Sequence, residues 1–205
     1  CDWSSDVCSS DLIASYRAGL RIKPDAPLTH FNMSLSLLQL GDYKHGWEEY
    51  DWRWRLDPAG EPPPPARPAL DWPMWRGENL SGKSILVWSE QGIGDTIQFA
   101  RLLPLLCARG ARVTLLVPNK IHHVLSALLP DVTLLHETQR TAHFDYQCSL
   151  MGIAGPLQLG IDNIPPPLAI KPDKERIARW ARHIGARAGL RVGLCWQGKP
   201  RSEEH

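Results

Sequence analysis

The residues best suited to chemistry lie between Ser84 and Arg101, read Ser-Ile-Leu-Val-Trp-Ser-Glu-Gln-Gly-Ile-Gly-Asp-Thr-Ile-Gln-Phe-Ala-Arg. Gly92 and Gly94 permit a close backbone approach, and Asp95 and Thr96 follow directly. Free N–H groups at a helix start can face an anionic group across such a turn. Asp95, at the N-cap or first turn, stands at the mouth of the same crevice, with Glu90 and Gln91 at the end of the preceding apolar run. A second motif competes for attention. Gly77-Glu-Asn-Leu-Ser-Gly82-Lys83-Ser84 spells the phosphate-loop pattern in letters. A true phosphate loop opens a helix, whereas a helix starting at Ser84 would destroy the Ile85 to Trp88 run, so this motif is read as a turn into a strand. His122 and His123 are adjacent and point about 100° apart on a helix, which rules out joint chelation. Lys174, Arg176, Arg179 and Arg182 form a basic helix face, read as solvated because no nucleic-acid motif accompanies it.

These residues are positioned by an alternation of strand and helix. Strands are expected at Ile85 to Trp88, Val113 to Val117, Val132 to Leu135, Phe144 to Cys148 and Leu190 to Trp196. Helices are expected at Asp95 to Arg109, Lys120 to Leu129 and Asp173 to Ile184, with irregular, proline-marked chain from Gly155 to Pro167. The pattern predicts an α/β fold with a Rossmann-like parallel sheet, and ligands bind such sheets at the carboxyl ends of the strands.

Upstream, Ile13 to Arg55 reads as helices. Tyr16 and Tyr50 are 34 residues apart, and Met33, Ser34, Leu37, Gly41, Asp42, Gly46 and Tyr50 follow the pattern of a tetratricopeptide repeat. His30 stands where that repeat usually has a large residue. Trp47, Tyr50 and Trp54 recur at helical spacing and are expected to pack this hairpin on the next domain, although aromatic faces also suit sugar rings. Arg53 and Arg55 are expected on the solvated side. Pro58, Pro62 to Pro65, Pro68 and Pro73 make the following segment a semi-rigid linker, with Trp72 and Trp75 pinning it to the next domain.

Residues 1–12 and 201–205 resemble translated sequencing adapters at the two ends of a gene fragment. The formal charge of +1 becomes +4 without Asp2, Asp6 and Asp11, and +5 without Arg201, Glu203 and Glu204. Hydrophobic residues make up 43% of the chain, yet no apolar run reaches the roughly 20 residues that would cross a bilayer. Cys107, Cys148 and Cys195 are widely spaced in apolar surroundings, which suits reduced thiols in the cytoplasm.

The stretch from Glu90 to Arg101 resembles bacterial tetratricopeptide-repeat proteins carrying a C-terminal glycosyltransferase module akin to the lipopolysaccharide heptosyltransferases. Trp75 to Lys83, Phe144 to Leu150 and Arg191 to Gly198 share in that resemblance. It implies residues 13–57 as the end of a repeat array, 58–83 as linker, 84–188 as the N-terminal half of a GT-B glycosyltransferase, and 189–200 as the first strand of a truncated C-terminal half. It also implies a nucleotide-sugar donor as substrate, a protein or glycan acceptor and no further cofactor. Asp95 matches the candidate base, with Glu90, Gln91, Gly92, Gly94, Thr96, Gln197 and Gly198 as candidate substrate-binding residues and Lys199 as a weaker one. No Asp-x-Asp pair indicates a metal, and neither nucleic acid nor a membrane span is expected. On this reading the 205-residue chain by itself is inactive, lacking most of the donor half. The competing expectation is a non-catalytic repeat scaffold that recruits a protein partner.

Overall fold

The computed structural model describes residues 5–65, 67–136, 143–169, 173–186 and 189–194. It divides into two units, Cys1–Ala169 and Ile170–His205. The first unit begins with helices α1 (Ser5–Ile22), α2 (Pro27–Gln39) and α3 (Tyr43–Tyr50), followed by a 3-10 turn at Asp51–Arg55. The adapter-like segment is therefore helical from Ser5 onward, continuous with Ile13 to Ile22. Pro27 opens α2, where its missing N–H is not needed. Asp42 caps α3 by accepting from the His45 amide. α2 packs against both neighbours, burying Met33 and Leu37 on Ile13. His30 fixes the far side of this hairpin: its ring stacks on Trp52 at 3.8 Å, one nitrogen meets the Glu49 carboxylate, and the other meets the Pro24 carbonyl at 2.8 Å.

The second half of this unit is α/β. Strands β1 (Ser84–Trp88), β2 (Arg112–Val117), β3 (Thr133–His136) and β4 (Tyr146–Ser149) form one sheet in the order β3-β2-β1-β4, every pair parallel. Ile85, Leu86, Val87 and Trp88 are at most 1% exposed, as expected of a central strand covered on both faces. The sheet is compatible with a Rossmann-like half. Ser84 opens β1 rather than a helix, so the phosphate-loop letters form a turn, with Gly77 and Gly82 both at positive φ. Asp145 secures that turn, accepting from the Ser84 amide and hydroxyl at 2.8 Å.

The helix expected over Asp95 to Arg109 is divided. α4 (Ile93–Phe99) passes through a 3-10 turn at Ala100–Leu102 into α5 (Leu103–Cys107). Pro104 supplies the reason, since it has no N–H to continue the ladder and suits only a helix's first turn. α6 (Asn119–Leu128) joins β2 to β3 and buries Ile121 and Leu125. The linker closes on β4 through a parallel bridge between Met74 and Gln147, and the Gln147 side chain donates to the Leu70 and Trp72 carbonyls. Trp75 is 2% exposed, and Trp72 meets Phe144 edge to face.

In the second unit, Asp173 caps α7 (Lys174–Ile184) by accepting from the Arg176 amide at 2.8 Å, and Gly185 ends it at φ 75°. Residues 190–194 carry no strand, contrary to the expectation for Leu190 to Trp196. A strand needs a hydrogen-bonded neighbour. No described ladder includes these residues. The rest of that stretch lies outside the described residues. No helix among the described residues is long and apolar enough to cross a membrane.

Candidate functional site

The chain leaves β1, builds β2 and β3 on one side, and returns to build β4 on the other. The carboxyl ends of β1 and β4 therefore flank the point where the sheet order reverses, the position at which open parallel sheets form a crevice. The Glu90 to Asp95 turn leaves β1 there. The chain stays paired just past the strands, with the Ser89 amide on the Leu116 carbonyl at 3.0 Å and the Leu150 amide on the Trp88 carbonyl at 2.9 Å.

Glu90 is 4% exposed, and its carboxylate forms a two-pronged ion pair with Arg53, Nε to Oε2 and Nη2 to Oε1, both at 3.0 Å. The Met151 amide donates to the same carboxylate at 3.3 Å. Arg53 also donates to the Ser149 hydroxyl, the Tyr50 carbonyl and the Asp51 carboxylate at 3.1, 2.9 and 3.1 Å. Its guanidinium lies over the Tyr50 and Trp54 rings. The expectation of a solvated Arg53 is thus corrected. Its side chain is fully buried at the ends of β1 and β4, and the charge is tolerated because a carboxylate meets it in the geometry a guanidinium favours. Arg55 is exposed, stacked on Trp52. Glu90 is correspondingly enclosed, tying the helical segment to both strands and presenting no free face to a ligand.

Asp95 occupies the third position of α4, where its carboxylate accepts from the Gly92 amide at 3.0 Å, and the Thr96 hydroxyl donates to the Gly92 carbonyl at 3.0 Å. Asp95 therefore caps its own helix. Gly92 could not carry a side chain freely, since an added Cβ would lie 3.0 Å from the Asp95 carboxylate, whereas Gly94 faces open space. Gln91 adopts φ 62°, in the left-handed region that non-glycine residues seldom occupy, and its side chain donates to the Tyr50 hydroxyl at 2.8 Å. Gln91 lines a pocket of about 390 Å³ with Phe31, Arg53, Leu56, Pro62, Pro63 and Pro65. The helical segment and the proline run, rather than the sheet, supply most of that pocket. Gln197, Gly198 and Lys199 lie outside the described residues.

Burial pushes the Tyr50 phenol above its ordinary value, opposed by Arg53 and reinforced by Glu90. Burial also pushes the Cys148 thiol up to about 12, with Asp51 and Glu90 adding to it. Cys148 is thus a protonated core thiol at neutral pH rather than a nucleophile. Among the described residues, no three His, Cys, Asp or Glu side chains group as metal ligands. Trp47 meets Tyr50 and Phe99 edge to face, and Trp54 meets Trp88, so these aromatics pack the helical segment on the α/β half.

The sequence assigns Tyr50 to packing and Arg53 to the solvated side, and gives Ser149 no role of its own. The 3-10 turn at Asp51–Arg55 is what carries Arg53 inward. In a 3-10 turn residues three apart eclipse. Arg53 therefore follows Tyr50 onto the same face once the helix tightens after Tyr50.

The fold and site define an α/β protein with a four-stranded parallel sheet and a glycine-bearing turn at its switch point, braced by a helical segment. No family model matches the chain, and no solved structure matches it. The chain is similar to Protein FlbA of Caulobacter vibrioides, 28% identical over 193 residues, a match covering 84% of this chain and 32% of that protein. It therefore spans about one third of the length of that curated relative.

Proposed function

We propose that this chain is part of a glycosyltransferase that moves a sugar from a nucleotide-sugar donor to a protein or glycan acceptor, with the helical segment as the end of a tetratricopeptide array. The observation carrying this reading is the strand order β3-β2-β1-β4, which sets the Gln91 to Asp95 turn beside the crevice at the reversal point. Inverting transfer needs a base for the acceptor hydroxyl and fixed donors for the leaving diphosphate. Asp95 supplies the one carboxylate of that turn that is not enclosed by Arg53. To act as base it must release the Gly92 amide or use its second oxygen. In the full-length protein, Asp95→Asn is expected to abolish turnover with the melting temperature held near wild type. Retained turnover would remove Asp95 as the base.

A second reading, a scaffold that recruits a partner through its repeats, is favoured by two specific observations. Arg53 fills the switch-point end of the sheet, and Asp95 is engaged as a cap. Donor affinity separates the two readings, because a scaffold binds no sugar nucleotide.

A further inference from the structure

Helix α7 has two faces of opposite character. Ile177, Trp180, Ala181 and Ile184 recur at i, i+3, i+4 and i+7 and share one face. Arg179, Arg182 and His183 share the opposite one. On a helical wheel, Arg176 borders the apolar stripe beside Trp180, and Lys174 borders it beside Ala181. Every residue of the helix is exposed, Ile177, Trp180 and Ile184 by 53, 54 and 54%. Trp180 meets His183 edge to face at 5.5 Å. Four cationic side chains stand against two carboxylates, Glu175 and the capping Asp173, both at the start of the helix.

We propose that α7 is an interfacial helix that lies on an anionic phospholipid surface, its apolar stripe in the headgroup boundary and its cations on the lipid phosphates. Charge complementarity selects this occupant. A purely apolar partner would leave the bordering Arg176 and Lys174 facing carbon, whereas a bilayer interface offers an apolar layer with phosphates directly above it. Trp180 fits the same boundary, where an indole has carbon below and water above. The helix is far too short to span a bilayer, so the contact is peripheral and reversible.

The test is co-sedimentation of the 205-residue chain with vesicles of phosphatidylcholine alone or mixed with phosphatidylglycerol, at low and high salt. Binding is expected only to the mixed vesicles and is expected to fall with salt. Replacing Arg176, Arg179 and Arg182 with Gln should weaken it on the order of 100-fold, from roughly a fivefold loss per cation. Trp180→Ser should weaken it too, and neither change should alter the melting temperature, since all four residues are exposed. Trp180→Phe gives an independent readout: wild-type fluorescence should be quenched by lipids brominated on their acyl chains more strongly than that of this variant. Failure to sediment with the mixed vesicles, equal binding to phosphatidylcholine alone, or binding and quenching that ignore these substitutions would overturn the proposal.

Discussion

Arg53 shows how one side chain can hold two parts of a chain together. Its guanidinium spans the helical segment, the turn after β1 and the end of β4 through Tyr50, Glu90 and Ser149. Arg53→Ala would leave the Glu90 carboxylate buried without its partner, at a cost of about 3 to 5 kcal/mol. Urea unfolding should show that loss, and the double variant Arg53→Met/Glu90→Leu should recover much of it, because a buried pair replaced by apolar groups is close to neutral. Equal losses in the single and double variants would contradict this account. Asp145 gives a pH prediction. Hydrogen bonds from the Ser84 amide and hydroxyl, with Lys83 nearby, bring its carboxyl down to about 2, from an ordinary value near 4. A depressed carboxylate contributes stability that is present above its unfolded value and lost as pH falls through its folded one. Between about pH 4 and pH 2 the wild-type melting temperature should therefore fall more steeply than that of Asp145→Asn.

The helices illustrate how identical substitutions diverge with their surroundings. In α3, a Cβ on Gly46 would lie 2.7 Å from Leu38 Cδ2 and 3.2 Å from the Leu38 backbone nitrogen. Gly46→Ala gains about 1 kcal/mol of helix propensity but pays about 1 to 3 kcal/mol for overpacking, so net destabilisation is expected. In α1, Gly19 has nothing within 4 Å of an added Cβ, and Gly19→Ala should stabilise by up to about 1 kcal/mol. Paired thermal melts check both signs. The elements themselves were largely legible. β1, β2 and β3 sit within about one residue of where their apolar runs place them, most sharply for β1, because a parallel strand buried on both faces must be apolar throughout, whereas the edge strand β3 is only partly buried. The division of α4 from α5 was also written in the chain, as Pro104, and was outweighed by helical spacing on either side of it. Arg53 was not legible in the same way. An isolated arginine reads as solvated, and its partner Glu90 lies 37 residues further on.

At the scale of the whole molecule, alternating strands and helices announce a parallel sheet but leave the side on which β4 joins undetermined. That choice creates the switch point, and it depends on how the chain returns from β3 rather than on any local pattern. Gly92, Asp95 and Thr96 were recognisable as a helix-opening turn. The closing of that turn's neighbourhood by Phe31 and the proline run was not, since it rests on contacts between distant segments. The proposed function makes one demand that no packing argument can meet, which is affinity for an activated sugar. The most direct measurement is calorimetric titration of the full-length protein with a panel of sugar nucleotides, alongside Asp95→Asn as a control that keeps the fold. The account predicts saturable binding of at least one sugar nucleotide by both proteins, with turnover only in the wild type. The absence of binding across the panel would contradict it and leave the scaffold reading in its place.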